Sequence, residues 1–367
     1  MNDFTQDETM LSEQEAKSMV KRCPNCGAEP RFDISSGNLI CDHCGNREEI
    51  EADEQVSRRQ LTDEIRRTKQ NWSEGRVFRC DGCGAKEVLE QQDITRRCAF
   101  CGNKNIISID ELSGVKPDSV IPFTIDINKS RDIFRKWINS KWLAPRSFKT
   151  YDIRECLTAV YCPTWSFTTS ALSTYNGTFA KQQHFHTRNA NGQMVTSTRT
   201  IHFNARGTMN VNYIDHLVQS SDRISPATFN RLKPFALKEI RPFRTEFIAG
   251  IVTEHYTREL DQCFNEFSQF IRSDMRRRIM QKHGADSITR LDLNLQFNSK
   301  EFNYILLPLY IANYKYKDKQ FNFFINGSSG KIVGRYPKSR TKISFIFLGV
   351  VLAIAAAVGI GIYLSTF

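Results

Sequence analysis

Eight of the eleven cysteines in this 367-residue chain form four Cys-x-x-Cys pairs, and a glycine directly follows each pair. Two thiolates on one tight turn can occupy two corners of a tetrahedron around Zn²⁺, and a second turn can supply the other two. Fourteen residues separate the first pair from the second, and also the third from the fourth, so one unit is present twice. The predicted ligands are Cys23, Cys26, Cys41, Cys44, Cys80, Cys83, Cys98 and Cys101.

The segments between the pairs predict ribbon hairpins. Residues 31–40 hold two short strand-like runs around a Ser-Gly-Asn turn, and residues 86–97 occupy the same place in the second unit. Neither unit has enough apolar side chains for its own core, so metal binding must supply folding free energy of order 10 kcal/mol. We therefore predict two closed zinc ribbons that hold two structural Zn²⁺ ions as cofactors.

The cysteines have three alternative uses. Disulfides would leave Cys156, Cys162 and Cys263 without a pairing pattern, and they do not persist in the cytosol. An iron–sulfur or redox role for a single pair would not need four matched pairs. A catalytic zinc needs an open coordination position, whereas four cysteines already fill each shell, so His43 is interpreted as a solvated neighbour and not as a ligand.

The net charge of +11 is unevenly distributed along the chain. Residues 23–102 carry −3, which two Zn(Cys)₄ centres, each adding −2, would take to −7, while residues 103–367 carry +16. A zinc module that grips phosphates should be locally basic. The charge pattern therefore disfavours nucleic-acid binding by the ribbons, although the basic part of the chain keeps that reading open as an alternative.

Hydrophobic periodicity predicts three helices before the C-terminal stretch. A charged helix is predicted over 47–70, with a sparse apolar stripe at Val56, Leu61 and Ile65. Ser130 is predicted to cap a helix to residue 140, whose apolar face is Ile133, Phe134, Trp137 and Ile138. A longer helix is predicted over 257–282 and ends at Gly284, with Leu260, Phe264, Phe267, Ile271 and Ile279 on one face.

Alternating, Thr-rich segments predict an antiparallel sheet around these helices. The predicted strands are 160–167, 171–179, 196–212, 292–298, 304–316, 320–325 and 331–335, and Asn191-Gly192 is a hairpin turn signal. Residues 161–167 resemble residues 306–312, and a helix precedes both segments. Residues 117–336 are therefore interpreted as a duplicated unit of a helix plus antiparallel sheet, and the predicted fold class is α+β.

The C-terminal stretch predicts a membrane anchor. Residues 343–365 carry no charged side chain and are long enough to span about 30 Å of hydrocarbon as a helix. Lys338, Arg340 and Lys342 precede them, so we expect a tail-anchored, single-pass protein of the cell membrane with its N-terminal bulk in the cytoplasm. Small residues at four-residue spacing predict a homodimer contact through Gly349, Ala353, Ala357 and Gly361.

The chain thus divides into six predicted parts. They are a flexible acidic tail (1–22), zinc ribbon 1 (23–45), a charged helical linker (46–76), zinc ribbon 2 (77–103), a basic α+β domain (112–337) and a transmembrane helix (343–365). A helix that inserts would hold the basic domain next to anionic lipid headgroups, which attract Lys and Arg.

The chain resembles a family of uncharacterised bacterial membrane proteins with tandem zinc ribbons. The resemblance lies in the four Cys-x-x-Cys-Gly turns and in segments 112–123, 160–165 and 324–334, and it covers nearly the whole chain. Members of that family are often labelled as transcription-factor-type zinc-ribbon or helicase-like proteins, but this chain has no Walker A loop. The resemblance implies the zinc ligands and a bacterial setting, and it implies no activity.

These features favour a membrane-anchored interaction or scaffold protein that presents acidic ribbons to an unknown protein partner. The alternative is a nucleic-acid-binding protein held at the membrane. An enzyme is not expected, because no nucleophile–base pair, nucleotide loop or open metal site is visible. His184 and His186 would share one face of a strand, yet a lone histidine pair is more often solvated than bound to metal.

Overall fold

The central feature of the fold is one very long strand that pairs with four others. The computed structural model describes residues 22–50, 56–62, 76–89, 98–103, 106–109, 115–150, 157–188, 192–316 and 319–365. Apart from Arg22, the acidic tail predicted over 1–22 lies outside these ranges. The described residues combine long antiparallel strands with helices, as the predicted α+β class requires.

The elements are numbered here in chain order. The strands are β1 (Arg31–Asp33), β2 (Asn38–Ile40), β3 (Arg47–Glu48), β4 (Arg59–Gln60), β5 (Arg76–Cys80), β6 (Lys86–Leu89), β7 (Ile106–Ile109), β8 (Ser119–Val120), β9 (Leu157–Arg188), β10 (Met194–Gln219), β11 (Arg241–Pro242), β12 (Val252–Glu254), β13 (Ser287–Phe297), β14 (Glu301–Tyr316), β15 (Lys319–Asn326) and β16 (Ile332–Gly334). The helices are α1 (Ile127–Asn139), α2 (Arg146–Lys149), α3 (Pro226–Leu232), α4 (Leu260–Lys282) and α5 (Arg340–Ser365).

The 32-residue strand β9 is paired on both edges over most of its length. One edge contacts β14 and then β13, and the other contacts β12 and then β10. The strands predicted over 160–167 and 171–179 are therefore confirmed, but they form one continuous strand. No break occurs between residues 167 and 171, because β10 pairs with β9 on both sides of this point. On the other edge of β9, the partner changes there from β14 to β13. The strands predicted over 196–212 and beyond residue 292 are also confirmed.

The two core-facing helices of the main domain form where periodicity predicts them. The buried side of α1 contains Phe134 and Ile138, and Phe134 stacks on Phe323 of β15 with ring centroids 4.4 Å apart. The cap of α1 is Asp126 and not Ser130, because the Asp126 carboxylate accepts the first free backbone N–H groups of the helix. Ser130 lies buried in the first turn, where its hydroxyl donates to the carbonyl of Ile127.

Helix α4 buries the whole apolar face that the sequence predicts for it. It begins at Leu260, three residues later than predicted, because Glu259 and Gln262 form a capping box there. Phe267 stacks on Phe167 of β9 with ring centroids 5.3 Å apart, so this helix closes the core over the central strand.

The charged helix predicted over 47–70 is wrong in the described parts of that segment, where β3 and β4 are extended. Tertiary contacts override the local propensity: Arg58 forms an ion pair with Asp215 at 2.9 Å, and Arg59 donates to Asp118 at 3.0 Å. The backbone N–H of Leu61 donates to the carbonyl of Lys300 at 2.7 Å, and its side chain packs on the main core. Ile65 lies outside the described residues.

The second ribbon continues the main sheet. Strand β12 pairs in parallel with β9 on one side and antiparallel with β6 on the other, and β6 leads on through β5 to β7. The first ribbon has a separate three-stranded sheet, β1-β2-β3. Zinc ribbons 1 (23–45) and 2 (77–103) are thus separate segments of the sequence, but each shares a core with the basic domain.

The last helix, α5, is the one helix among the described residues that is long and apolar enough to cross a membrane, over Arg340–Gly361. None of its apolar window is buried against the rest of the chain. Helix α4 carries three consecutive arginines, residues 276–278, and Arg277 and Arg278 both contact the buried carboxylate of Asp274.

Asp274 joins α4 to the sheet. The Tyr213 hydroxyl donates to its Oδ2 at 2.8 Å, and Arg278 Nε donates to the same atom at 2.6 Å. Burial raises the pKa of Asp274, but the hydrogen bonds from Arg278 and Tyr213 and the charges of the two arginines lower the pKa further than burial raises it. The net pKa shift is downward, so the ionised carboxylate stabilises the fold.

We expect Asp274→Asn to reduce the free energy of unfolding at pH 7 by about 1–2 kcal/mol, because it replaces charged hydrogen bonds that are partly exposed on the arginine side. A depressed folded-state pKa contributes stability above the unfolded-state pKa of about 3.9, and the contribution is lost as pH falls through the folded-state pKa. The melting temperature should therefore fall more steeply between pH 7 and pH 3 for the parent than for the variant. Asp292→Asn, at an exposed carboxylate, is the control, and parallel curves for parent and Asp274→Asn would contradict this role.

Candidate metal centres

Each Cys-x-x-Cys-Gly turn has the same backbone conformation, and such a turn is called a knuckle here. In all four, the glycine N–H donates to the carbonyl of the first cysteine at 2.7–2.8 Å. The four glycines, Gly27, Gly45, Gly84 and Gly102, have φ between 71° and 75°, in the left-handed region that favours glycine. The glycine after each pair is therefore needed to turn the backbone around the two sulfurs.

The knuckles bring the eight predicted ligands together as two groups of four. In the first group, Cys23 Sγ lies 3.5 Å from Cys44 Sγ, and Cys26 Sγ lies 3.5 Å from Cys41 Sγ. In the second group the corresponding distances are 3.4 Å for Cys80 to Cys101 and 3.7 Å for Cys83 to Cys98. All four sulfurs of each group lie within 4.8 Å of one another.

These separations fit a tetrahedral metal ion. A Zn–S distance of about 2.3 Å gives an S···S edge of about 3.8 Å, whereas a disulfide bond is about 2.05 Å long. No disulfide joins the described cysteines. Four thiolates complete a tetrahedral shell and leave no position for water or substrate, so a metal ion held here is structural.

The protonation of the second group shows why a cation belongs there. The hydrogen bond with the sulfur of Cys98 lowers the pKa of Cys83, burial opposes it, and the backbone N–H of Ala85 lowers it again, to about 5. Burial is the main cause that raises the pKa of Cys101, to about 11. Cys101 thus keeps its proton at neutral pH without a metal ion, and a bound dication would favour its ionisation because it stabilises a thiolate.

The first centre is held against the main domain by one aromatic residue of its hairpin. Phe32 of β1 is buried, its ring centroid lies 5.7 Å from that of Phe247, and its backbone N–H donates to the carbonyl of Ala249 at 3.0 Å. Leu39 of β2 joins the same core. His43 is exposed and lies outside the group of four sulfurs, as predicted.

The second centre is held by side-chain amides that the sequence analysis missed. Asn313 of β14 donates to the carbonyl of Ala99 at 2.5 Å, and Asn322 of β15 donates to that of Phe100 at 3.4 Å. Gln320 donates to the carbonyl of Cys101 at 2.7 Å. The pairing of β14 with β15 places Asn313 directly opposite Asn322, a relation that becomes visible only once the strand register is known.

His184 and His186 lie on one face of β9, as the sequence predicts. The Nδ1 atom of each lies 3.0 Å from a threonine hydroxyl of β10, that of Thr198 for His184 and that of Thr196 for His186. Both rings are exposed. Among the residues that the structure describes, only the two cysteine groups gather three or more ligands for a metal ion.

The chain is similar to the Uncharacterized protein YdjG of Bacillus subtilis (strain 168). The two are 29% identical over 333 residues, which cover 90% of this chain and 93% of the relative. No family model matches the chain. No solved structure matches it either.

We expect the purified chain to carry two zinc ions, and Cys26→Ser and Cys83→Ser each to remove one, because three thiolates and a hydroxyl hold Zn²⁺ much less tightly. Metal analysis by mass spectrometry on freshly reduced protein measures this. Cys263→Ser is the matched control, since Cys263 is buried and lies outside both groups, so its variant should keep two ions. One ion or none in the folded parent would contradict the assignment.

Proposed function

We propose that this chain is a membrane-anchored, zinc-binding interaction or scaffold protein with its N-terminal bulk in the cytoplasm, related to the bacterial tandem zinc-ribbon membrane proteins. The observation that carries the proposal is that both cysteine groups are closed and rest on the main domain. A metal ion in such a group stiffens a surface and leaves no room for chemistry at the metal. The proposal therefore includes no catalytic activity.

The contacts at the start of α5 support the anchoring part. Lys342 Nζ donates to the carbonyls of Trp142 and Ala144 at 2.5 and 3.1 Å, and the backbone N–H of Ser339 donates to that of Leu143 at 2.9 Å. The loop between α1 and α2 thus lies where the apolar helix begins. Trp142 is 62% exposed there, and exposed tryptophans beside lysines are typical of membrane–water interfaces.

The strand register supports the interpretation of 117–336 as a duplicated unit. Cys162 and Leu307, which are equivalent in the two similar segments, lie directly opposite each other in the antiparallel pair β9–β14. Strand β8, before α1, pairs in parallel with β14 at Ile305 and Leu306. Strand β12, before α4, pairs in parallel with β9 at the equivalent Val160 and Tyr161. We infer a rigid platform with pseudo-two-fold symmetry, in keeping with a scaffold.

Two surfaces are available for partners in this proposal. The first ribbon exposes the acidic side chains Glu29 and Asp42, Glu49 is exposed just after β3, and this surface would contact a basic region of a protein. In α5, a Cβ added at Gly349 or Gly361 would meet no atom of another element within 4 Å among the described residues, so the small-residue stripe with Ala353 and Ala357 is open to a second copy of the helix. Both partner assignments are proposals.

A membrane-tethered nucleic-acid-binding protein is the second candidate. The +16 charge of residues 103–367 favours it, and so does the exposure of Arg290, whose side chain is 77% accessible on β13. The acidic balance of the ribbons argues against it. The first candidate ranks higher because the zinc module carries the wrong charge for phosphates.

We expect the full chain to stay in the membrane fraction in alkaline carbonate and a variant lacking 343–367 to be released, because the truncation removes the apolar span. The truncated chain should still bind anionic liposomes at low salt and detach at high salt.

Trp142→Ala should weaken that binding about tenfold, since one interfacial aromatic contact is lost. Phe185→Ala is the control, because Phe185 is 42% exposed on the distant end of β9. Carbonate extraction of the full chain would contradict anchoring, and equal losses for both aromatic variants would contradict the orientation.

We expect affinity capture from detergent-solubilised membranes to recover a protein partner whether or not nuclease is added. The double variant Glu29→Lys/Glu49→Lys should lose that partner, because reversal of two exposed charges repels a basic surface. Glu239→Lys, an exposed change on the main domain, is the matched control. If nuclease abolishes capture, or if the full chain binds DNA or RNA below micromolar with a steep salt dependence, the second candidate replaces the first.

A further inference from the structure

A cavity of about 340 Å³ lies between the end of β10, helix α3 and the first half of α4. Its size is at the lower end of the range in which proteins bind small organic molecules. It is remote in sequence from the eight cysteines and from α5, so neither the zinc centres nor the anchoring accounts for it.

Gln219 is one of the residues around this cavity, and its buried side-chain amide is unusual. Only 4% of Gln219 is exposed, and neither its Nε2 nor its Oε1 has a hydrogen-bond partner among the residues that the structure describes. A buried amide without partners destabilises a fold, so such groups are rare unless something completes them. Both amide atoms are closed to solvent, so the amide lowers stability beneath the wall of the cavity and is not a contact for a ligand.

The charged groups that face the cavity leave a single positive charge. Lys233, which follows α3, donates to the carbonyl of Leu217 at 3.0 Å and so uses one of its three protons. Burial lowers the pKa of Lys233, and the charge of Glu266 raises it by less. Glu266 itself contacts Arg258, so these two charges offset each other.

The histidine of the cavity adds no charge at neutral pH. Burial, and then the charge of Lys233, lower the pKa of His216 to about 4. Its ring stacks on that of Phe270 with centroids 4.2 Å apart and also contacts Phe267 at 5.0 Å. On the opposite side, Lys233 Nζ lies 5.1 Å from the ring centroid of Phe229. The cavity thus has flat aromatic walls and one ammonium group.

We propose that this cavity binds a small organic carboxylate with a planar, apolar body. The carboxylate would pair with Lys233, and the planar body would lie between Phe229 and the stacked rings of His216 and Phe270. An anion is favoured over a cation because the lining holds two cations, Lys233 and Arg258, and one carboxylate, Glu266, which contacts Arg258.

The test uses the full-length, zinc-loaded chain in lipid nanodiscs and three probes that share a hydroxyphenyl ring: 4-hydroxybenzoate, 4-hydroxybenzamide and tyramine. Saturation-transfer NMR titrations give the affinity of each. We expect the acid to bind at least about tenfold more tightly than the neutral amide or the amine. Equal affinities for the three probes, or binding of none, would overturn the proposal.

Two substitutions locate the binding. Lys233→Met keeps the aliphatic stem and should abolish the preference for the acid over the amide, whereas Lys238→Met, at an exposed lysine nearby, should leave it intact. Gln219→Leu should raise the melting temperature of the ligand-free chain, because it removes an amide that lacks partners, and should keep the preference for the acid. A preference for the acid that survives Lys233→Met would overturn the proposal.

Discussion

The constraint on which the rest of the structure depends is the crowding of four sulfurs within 4.8 Å of one another, twice in the chain. Four thiols at that distance cannot all be ionised without a cation, and short hairpins cannot hold them together by apolar burial alone. The identical knuckle conformation, with a left-handed glycine after each pair, is the backbone solution to this constraint. Metal binding at these groups would therefore be coupled to local folding of the ribbons.

The consequences of that event extend well beyond the ribbons. Phe32 of the first hairpin is part of the main core, and the knuckle around Phe100 is held by amides from β14 and β15. Because β6 pairs with β12, the second ribbon also extends the sheet that β9 organises. Zinc in this arrangement would stabilise the contact between ribbons and platform, which favours a role in presenting surfaces over a role in chemistry.

The main domain has separate regions for separate tasks. The loop that contains Trp142 lies at the start of α5 and suits a lipid interface, whereas the Gln219 cavity lies between α3, α4 and the end of β10. The core of the domain is densely aromatic, with Trp165, Phe167 and Phe267 fully buried. A packed core of this kind has little free volume and therefore transmits strain. A ligand that enlarged the cavity would shift the neighbouring helices as rigid elements.

The sequence by itself determined the metal ligands, the two core-facing helices and the apolar C-terminal helix, because each depends on spacing within a short segment. Only the tertiary structure decided the rest. Strand β4 replaces a helix because Arg58 and Arg59 contact carboxylates far away in the chain, and β3 does so because it pairs with β2. The amides that hold the second knuckle come together through strand register, and the unpartnered Gln219 is apparent only from its surroundings. These features rest on contacts between residues far apart in the sequence, and local periodicity carries no information about such contacts.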